Sequence, residues 1–286
     1  ETEKYSRCST ADRPTMPEPS QQDLHDWENR SALSHFFLGQ EFNPRLGPFD
    51  IKMYLYVVGA TYLLLNILSA AALQNQIDGE CSNAMKTYVW MMGWFLCEYM
   101  WFEEIHLYTY DLFAEKLGFK LFWGCFCFYP FFYCIGVWSI IHHIPNVDLT
   151  QHEVIAVVLL FYAGWCLTRG ANLQKYWFKR NPELPTCFFG LIHQTPVRPE
   201  SRILCSGFWG LSRHINYFGE ITQAIAIALP GYFVSGSFVP FLYPLYYVAL
   251  FIPRAQDDGK ICAAKYGQEW DEYIEHVPYK IVPFVY

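Results

Sequence analysis

Residues 206–234 read SGFWGLSRHINYFGEITQAIAIALPGYFV, and the change of character halfway along decides how the chain is read. The first half gathers Trp209, Arg213, His214, Asn216, Tyr217 and Glu220; from Ile221 to Val234 no charged residue occurs. A helix starting near Gly210 would put Arg213, Asn216, Tyr217 and Glu220 at i, i+3, i+4 and i+7, on one face. Charged groups against lipid are costly, so such a cluster at the mouth of an apolar helix faces a site in preference to lipid. The competing reading is a juxtamembrane patch, with Arg213 on phosphates and Trp209 and Tyr217 as interface anchors.

Working outward, the composition agrees with a membrane setting. The 286 residues are 53% hydrophobic, 19% aromatic and 16% charged, against about 25% charged in soluble domains. The charge deficit lies in long blocks, the mark of spans. A net charge of −7 excludes nucleic acid as a natural partner. The cysteines, Cys97, Cys125, Cys127, Cys134 and Cys166 among them, sit mostly in apolar blocks without CxxC or zinc spacing, and read as small core residues. No metal site is expected. Neither GxGxxG, a Walker loop, GxSxG nor HExxH occurs, so any nucleotide site is not a Rossmann domain.

In chain order, residues 1–34 are polar and proline-bearing, expected as a flexible tail. His35 to Asp50 reads as a structured loop entering the membrane. The apolar blocks predict an all-α protein with about six membrane spans, near 51–73, 87–105, 121–142, 153–173, 216–234 and 237–253. Pro130 predicts a kink in the third, and Pro230-Gly231 a break in the fifth. Lys and Arg concentrate before Phe49, between Lys175 and Arg213, and from Arg254 onward, placing both termini and the large loop in the cytoplasm.

Three polar clusters then fall on the cytoplasmic side. Asn172, Lys175 and Lys179 share a helix face, where fixed cations suit a phosphate-bearing ligand; basic residues flanking a span also set topology by themselves. The second cluster is Trp209 to Glu220. The third is Arg254-x3-Asp258-x3-Cys262 with Tyr273, whose spacings of four, four and eleven predict one helical face. Together they describe a nucleotide-like site roofing a membrane cavity, a cytoplasmic-side pocket formed by the C-terminal half. On the apolar side, Glu98, Glu103, Glu104, Asp111 and Tyr133 lie in or beside spans two and three. A buried carboxyl there could serve as a proton donor; Tyr133, one tyrosine among 21, has aromatic packing as its ordinary role.

The stretches NLQKYWFKRNP, SGFWGLSRHINYFGE, RAQDDGKICAAKYGQEWDEY and VPYKIVPFVY, in this order, resemble the sterol reductases of the endoplasmic reticulum membrane, a family that includes the C14, C7 and C24(28) reductases and the lamin B receptor. EFNPRLGPFDIKMY resembles the upstream loop, so the likeness covers about residues 35–286. It implies an NADPH-dependent reductase of a carbon–carbon double bond in a sterol or sterol-like terpenoid, in sterol and steroid biosynthesis, multi-pass, with its cofactor site facing the cytoplasm. Lys175, Lys179, Trp209, Arg213, His214, Asn216, Tyr217, Arg254, Asp258, Cys262 and Tyr273 would line the cofactor pocket. Residues 35–173 would form the substrate-side spans and 174–286 the NADPH-binding half. An acid would protonate one alkene carbon and hydride would reach the other, in a dry cavity whose aromatic lining favours positive charge. Tyr133 is the first candidate for that acid, supported by Asp111 or Glu104, and Tyr273 is the alternative.

The chain also departs from the family pattern. Lys179 stands where Arg is frequent, which keeps the charge without the bidentate fork. Phe208 replaces Trp, Gly124-Cys125 stands for Gly-Asp, and Ile135-Gly136 for Leu-Gln, so the bond reduced is left open. The family's usual chain carries more spans, so its early spans are expected to be missing here. Two other readings stand beside the reductase. One is a membrane methyltransferase of the isoprenylcysteine type, using S-adenosylmethionine. The other is a non-catalytic membrane scaffold, against which the short acidic tail weighs.

Overall fold

The computed structural model describes residues 31–41, 44–47, 49–102, 105, 116–142, 144 and 146–286. Described residues are mostly helical and fall into two compact units. One takes in residues up to Leu63 with those from Leu96 to Pro130; the other takes in Leu64–Phe95 with Phe131–Tyr286. Glu103, Glu104, His106 and Asp111 lie outside the described residues.

In the first unit, helix α1 (Ala32–Leu38) starts where the Ser31 hydroxyl accepts from the Ser34 N–H at 3.3 Å. The expected loose tail therefore gives way to helix by Ala32. It ends at Gly39, whose φ of +86° and approach to the Leu117 carbonyl leave no room for a Cβ. A two-stranded hairpin follows, β1 (Arg45–Leu46) with β2 (Phe49–Asp50). Asp50 ties it to the next helix: one oxygen meets Arg45 at 3.3 Å and the other accepts the Met53 N–H at 3.1 Å. Of the loop expected over His35 to Asp50, residues 35–38 belong instead to α1, and this hairpin occupies its end. Helix α2 (Ile51–Asp78) leads out of it.

Helix α3 (Asn83–Trp101) begins where Asp148 accepts the N–H groups of Asn83 and Ala84 at 2.7 and 3.0 Å. Helix α4 (Phe119–Ile141) is not uniform: a π-helical turn, Gly124–Phe128, precedes Pro130, and the chain turns again at Tyr133-Cys134. Proline has no N–H to bond the fourth carbonyl back, and the helix accommodates it by widening one turn. Helix α5 (Gln151–Arg180) opens with a reciprocal cap, Thr150 and Glu153 each accepting the other's backbone N–H. Its 30 residues extend about 45 Å. α2, α4 and α5 are the helices long and apolar enough to cross a membrane among the described residues.

After α5 come the hairpin β3 (Thr186–Cys187) with β4 (Ile192–His193), a 3-10 turn at Gly207–Gly210, and helix α6 (Ile215–Ser235). The helix expected from Gly210 starts at Ile215. The reason is tertiary: the Arg213 and His214 N–H groups donate to the Tyr279 and Lys280 carbonyls at 3.0 and 2.8 Å, which holds both residues extended from the helix path. The break expected at Pro230-Gly231 is likewise absent, since α6 runs through to Ser235. Gly231 lies against the Gly136 carbonyl and Pro240, and such packing against a neighbouring helix lets α6 accommodate Pro230.

Helix α7 (Leu242–Tyr266) continues through Pro253, and helix α8 (Gln268–His276) follows a turn at Gly267, φ +55°. Arg254, Asp258 and Cys262 share a face of α7 as the spacing requires. Tyr273 does not belong to that face; it is on α8, because Gly267 ends the first helix. The α5–α6 pair forms the framework of this unit. A Cβ on Gly219 would lie 2.3 Å from the Thr168 hydroxyl, and one on Gly164 would lie 2.8 Å from the Gly219 carbonyl. Two facing glycines let these backbones touch.

Candidate functional site

The end of α5 carries the anchor of the site. Gln174 is fully buried and makes three bonds that hold the loop onto the helix: its amide donates to the carbonyls of His193 and Ser206 at 3.3 and 3.2 Å, and its oxygen accepts the Phe208 N–H at 3.0 Å. Trp209 is thereby seated on α5, its indole donating to the Ala171 carbonyl at 2.8 Å. Lys175 then lies over the Trp209 ring at 4.9 Å, a cation–π contact.

Arg213 is fixed from the far end of the chain, donating to the Pro278 carbonyl at 3.0 Å. His214 is buried and its ring stacks on Tyr217 at 5.0 Å. Burial chiefly pushes its imidazole down to about 4; nearby Asp258 pulls it up, while Lys175 and Arg213 push it down. His214 is therefore neutral at ordinary pH. Asn216 donates to the Asn172 side-chain oxygen at 3.3 Å, and its own side-chain oxygen is buried without a hydrogen-bond partner among the described residues.

On α7, the Cys262 thiol contacts Asp258 at 3.9 Å. Burial first, then the Asp258 charge, raises Cys262 to about 11, against the pull of Lys175, Lys179 and Lys265. It stays a thiol. Arg254 is half-buried one turn before Asp258. On α8, the Tyr273 hydroxyl donates to the Trp209 carbonyl at 3.1 Å, and burial raises its pKa. Arg198 and Glu272 form a two-pronged ion pair that clamps the loop to α8.

Lys175, Lys179, Trp209, Arg213, His214, Asp258, Cys262 and Tyr273 are thus drawn from three helices and one loop into mutual electrostatic or direct contact. Tyr217 and Asn216 border them. The arrangement brings together cations, an acid, a buried acceptor and aromatic faces, and fixed cations of this kind suit a phosphate-bearing ligand.

A ladder of rings leaves this cluster. Tyr217 stacks on Phe251 at 4.3 Å, Phe251 meets Tyr247 at 5.0 Å, and Tyr247 meets Tyr243 at 4.9 Å, with the Tyr243 hydroxyl donating to Tyr247 at 3.0 Å. Tyr133 closes the series, 4.9 Å from Tyr243 and 5.7 Å from Tyr247. Glu220 acts electrostatically on both Tyr243 and Tyr247. Sequence reasoning passed over Tyr243, Tyr247 and Phe251. Their signal was available: an aromatic every fourth residue, in step with the Arg254, Asp258 and Cys262 face of the same helix.

Mostly helical structure with three helices, among the described residues, long and apolar enough to cross a membrane defines the class, a helical membrane protein. The chain belongs to the ergosterol biosynthesis ERG4/ERG24 family, which matches residues 18–286. It is 35% identical over 268 residues to a protein of Methylotuvimicrobium alcaliphilum named Delta(14)-sterol reductase, covering 91% of this chain and 60% of that one. The Delta(14)-sterol reductase of Arabidopsis thaliana is 35% identical over 263 residues, covering 92% and 66%. That of Dictyostelium discoideum is 34% identical over 265 residues, covering 90% and 56%. The chain thus spans about three fifths of the length of these curated relatives.

Proposed function

We propose that the chain reduces a carbon–carbon double bond of a sterol or related polycyclic terpenoid with NADPH. The observation that carries this reading is the joining of a cation-bearing cradle to Tyr133 by an unbroken ladder of aromatic rings. The names of the relatives favour reduction over methyl transfer.

In this reading α2, α3, α4, α5, α6 and α7 are six spans in the endoplasmic reticulum membrane. The cradle opens to the cytoplasm, with residues 35–173 serving the substrate and 174–286 the cofactor. When bound, NADPH supplies the hydride. Lys175 and Lys179 hold its phosphates, Arg213, Arg254 and Asp258 its polar groups, and Trp209, Tyr217 and neutral His214 offer ring faces. The orphaned Asn216 oxygen accepts an amide or hydroxyl donor, while Cys262 and Tyr273 complete the wall.

Tyr133 donates a proton to one alkene carbon, and the cation that forms on the other is shielded from water by the surrounding rings. Tyr133 is preferred to Tyr273 because it stands at the end of the ring ladder away from the cradle.

The test is sterol profiling of cells deleted for each endogenous sterol reductase and expressing the chain or Arg254→Ala. One accumulated alkene should disappear with the chain and return with the variant. Unchanged profiles with a folded, inserted protein would overturn the reading.

A further inference from the structure

The hairpin β3–β4 presents a tip, Phe188 to Leu191, whose two outer apolar side chains stand free of the described fold: Phe189 is 106% and Leu191 82% exposed. The turn is left-handed through Phe188, Phe189 and Gly190, at φ +52°, +58° and +87°, a path that only glycine takes without strain. Leu191 N–H closes it by donating to the Phe188 carbonyl at 3.1 Å. Two phenylalanines held in this conformation, with the second facing outward, call for a surface that receives them.

Contacts along α5 give the depth at which the tip lies. The root of the hairpin is level with Gln174, which donates to the His193 carbonyl and, with Ile192, packs against Gly207. Toward the tip, Phe188 lies 6.3 Å from Phe208, and the Phe208 ring sits on Gly170. Gly170 precedes Gln174 by four residues, about 6 Å along the helix. The hairpin therefore runs back along α5 toward its apolar part, away from the Arg180 end. From Val154 to Leu173, α5 covers about 30 Å, the thickness of the hydrocarbon core. Gly170 falls just inside that boundary and Gln174 at it. Arg180, exposed and stacked over Tyr176 at 4.7 Å, stands about 9 Å farther out, at headgroup depth, where its charge suits lipid phosphates.

We propose that the β3–β4 tip is an interfacial lipid anchor. Phe189 and Leu191 enter the boundary between acyl chains and headgroups of the leaflet from which α5 emerges, beside α5 itself. The occupant is the bilayer because the tip is level with the end of a spanning helix and points along it toward the core. The anchor tethers the segment that runs from α5 to Trp209, and with it one wall of the cradle. It stands whether or not the chain reduces sterols.

The experiment places trifluoromethyl-phenylalanine at position 189 by stop-codon suppression, in the chain reconstituted in phosphatidylcholine–phosphatidylserine nanodiscs. Fluorine relaxation is measured with dissolved oxygen, which concentrates in acyl chains, and with a nickel chelate confined to water. The same label at Leu159, exposed on the apolar part of α5, and at exposed Asp271 on α8 supplies the two references. The expected oxygen-to-nickel ratio at 189 lies nearer that of Leu159. A ratio equal to that at Asp271 overturns the proposal. So does protection from both agents, which would mean that a protein partner or a second copy covers the tip.

Discussion

Replacing Gly219 by alanine separates two physical accounts that give opposite signs. Gly219 is interior to α6, where alanine is favoured over glycine by about 1 kcal/mol on helix propensity. Were propensity decisive, Gly219→Ala would stabilise. A Cβ there would stand 2.3 Å from the Thr168 hydroxyl, 2.6 Å from the Thr168 nitrogen and 2.7 Å from the Gly164 carbonyl. Two of those three atoms are backbone and cannot rotate away, so α5 and α6 must part. Overpacking of this kind costs about 1–3 kcal/mol. Parting the helices also stretches the bond from the Thr168 hydroxyl to the Asn216 carbonyl, now 3.1 Å, and the Asn216–Asn172 bond at 3.3 Å, each worth about 1 kcal/mol. The expected net effect is a loss of about 2 kcal/mol, with weaker NADPH binding because Asn216 and Asn172 shift. The assay is thermal unfolding of the purified chain in detergent, paired with cofactor titration. A melting temperature equal to or above that of the unmodified chain would refute the argument that the α5–α6 contact is set by these glycines.

Three further outcomes follow from the geometry. Because His214 is held near 4 while an unfolded histidine titrates near 6.5, the unfolded chain takes up the proton first on acidification. The stability from burying neutral His214 is present above about 6.5 and fades toward 4, a change of up to about 3 kcal/mol; the difference in unfolding free energy between the native chain and His214→Gln should shrink across that window, and a difference constant with pH would contradict it. Glu272 is held below the usual carboxylate range by Arg198, so its contribution is present above that range and lost as pH falls through the depressed value; limited proteolysis of the loop in Glu272→Gln should match the native chain in acid and exceed it at neutral pH. Gly39→Ala, at φ +86° and with its Cβ directed into the Leu117 carbonyl, should loosen the first unit, read as faster hydrogen exchange in residues 31–41 with exchange in α6 unchanged.

Much of this protein was legible in its residues because membrane physics writes itself into composition. A helix that must cross hydrocarbon has to be apolar for its length, so Ile51–Asp78 and Gln151–Arg180 could be found by counting. Local chemistry was equally readable. Arg254, Asp258 and Cys262, spaced by four, share a face on any helix that carries them. What the chain alone could not reveal was where backbone is captured by distant segments. The helix after Trp209 begins late because Tyr279 and Lys280 take the Arg213 and His214 N–H groups. Pro230 does not break α6 because Gly136 and Pro240 pack against its neighbour. Tyr273 reaches the cradle from a separate helix, turned back at Gly267, by bonding the Trp209 carbonyl. The ring ladder from Tyr217 to Tyr133 joins residues on three helices. Local propensity and period are fixed by neighbours in the sequence. Contacts between residues dozens of positions apart depend on which backbones can touch, and that was decided only in the folded structure, at Gly164 and Gly219.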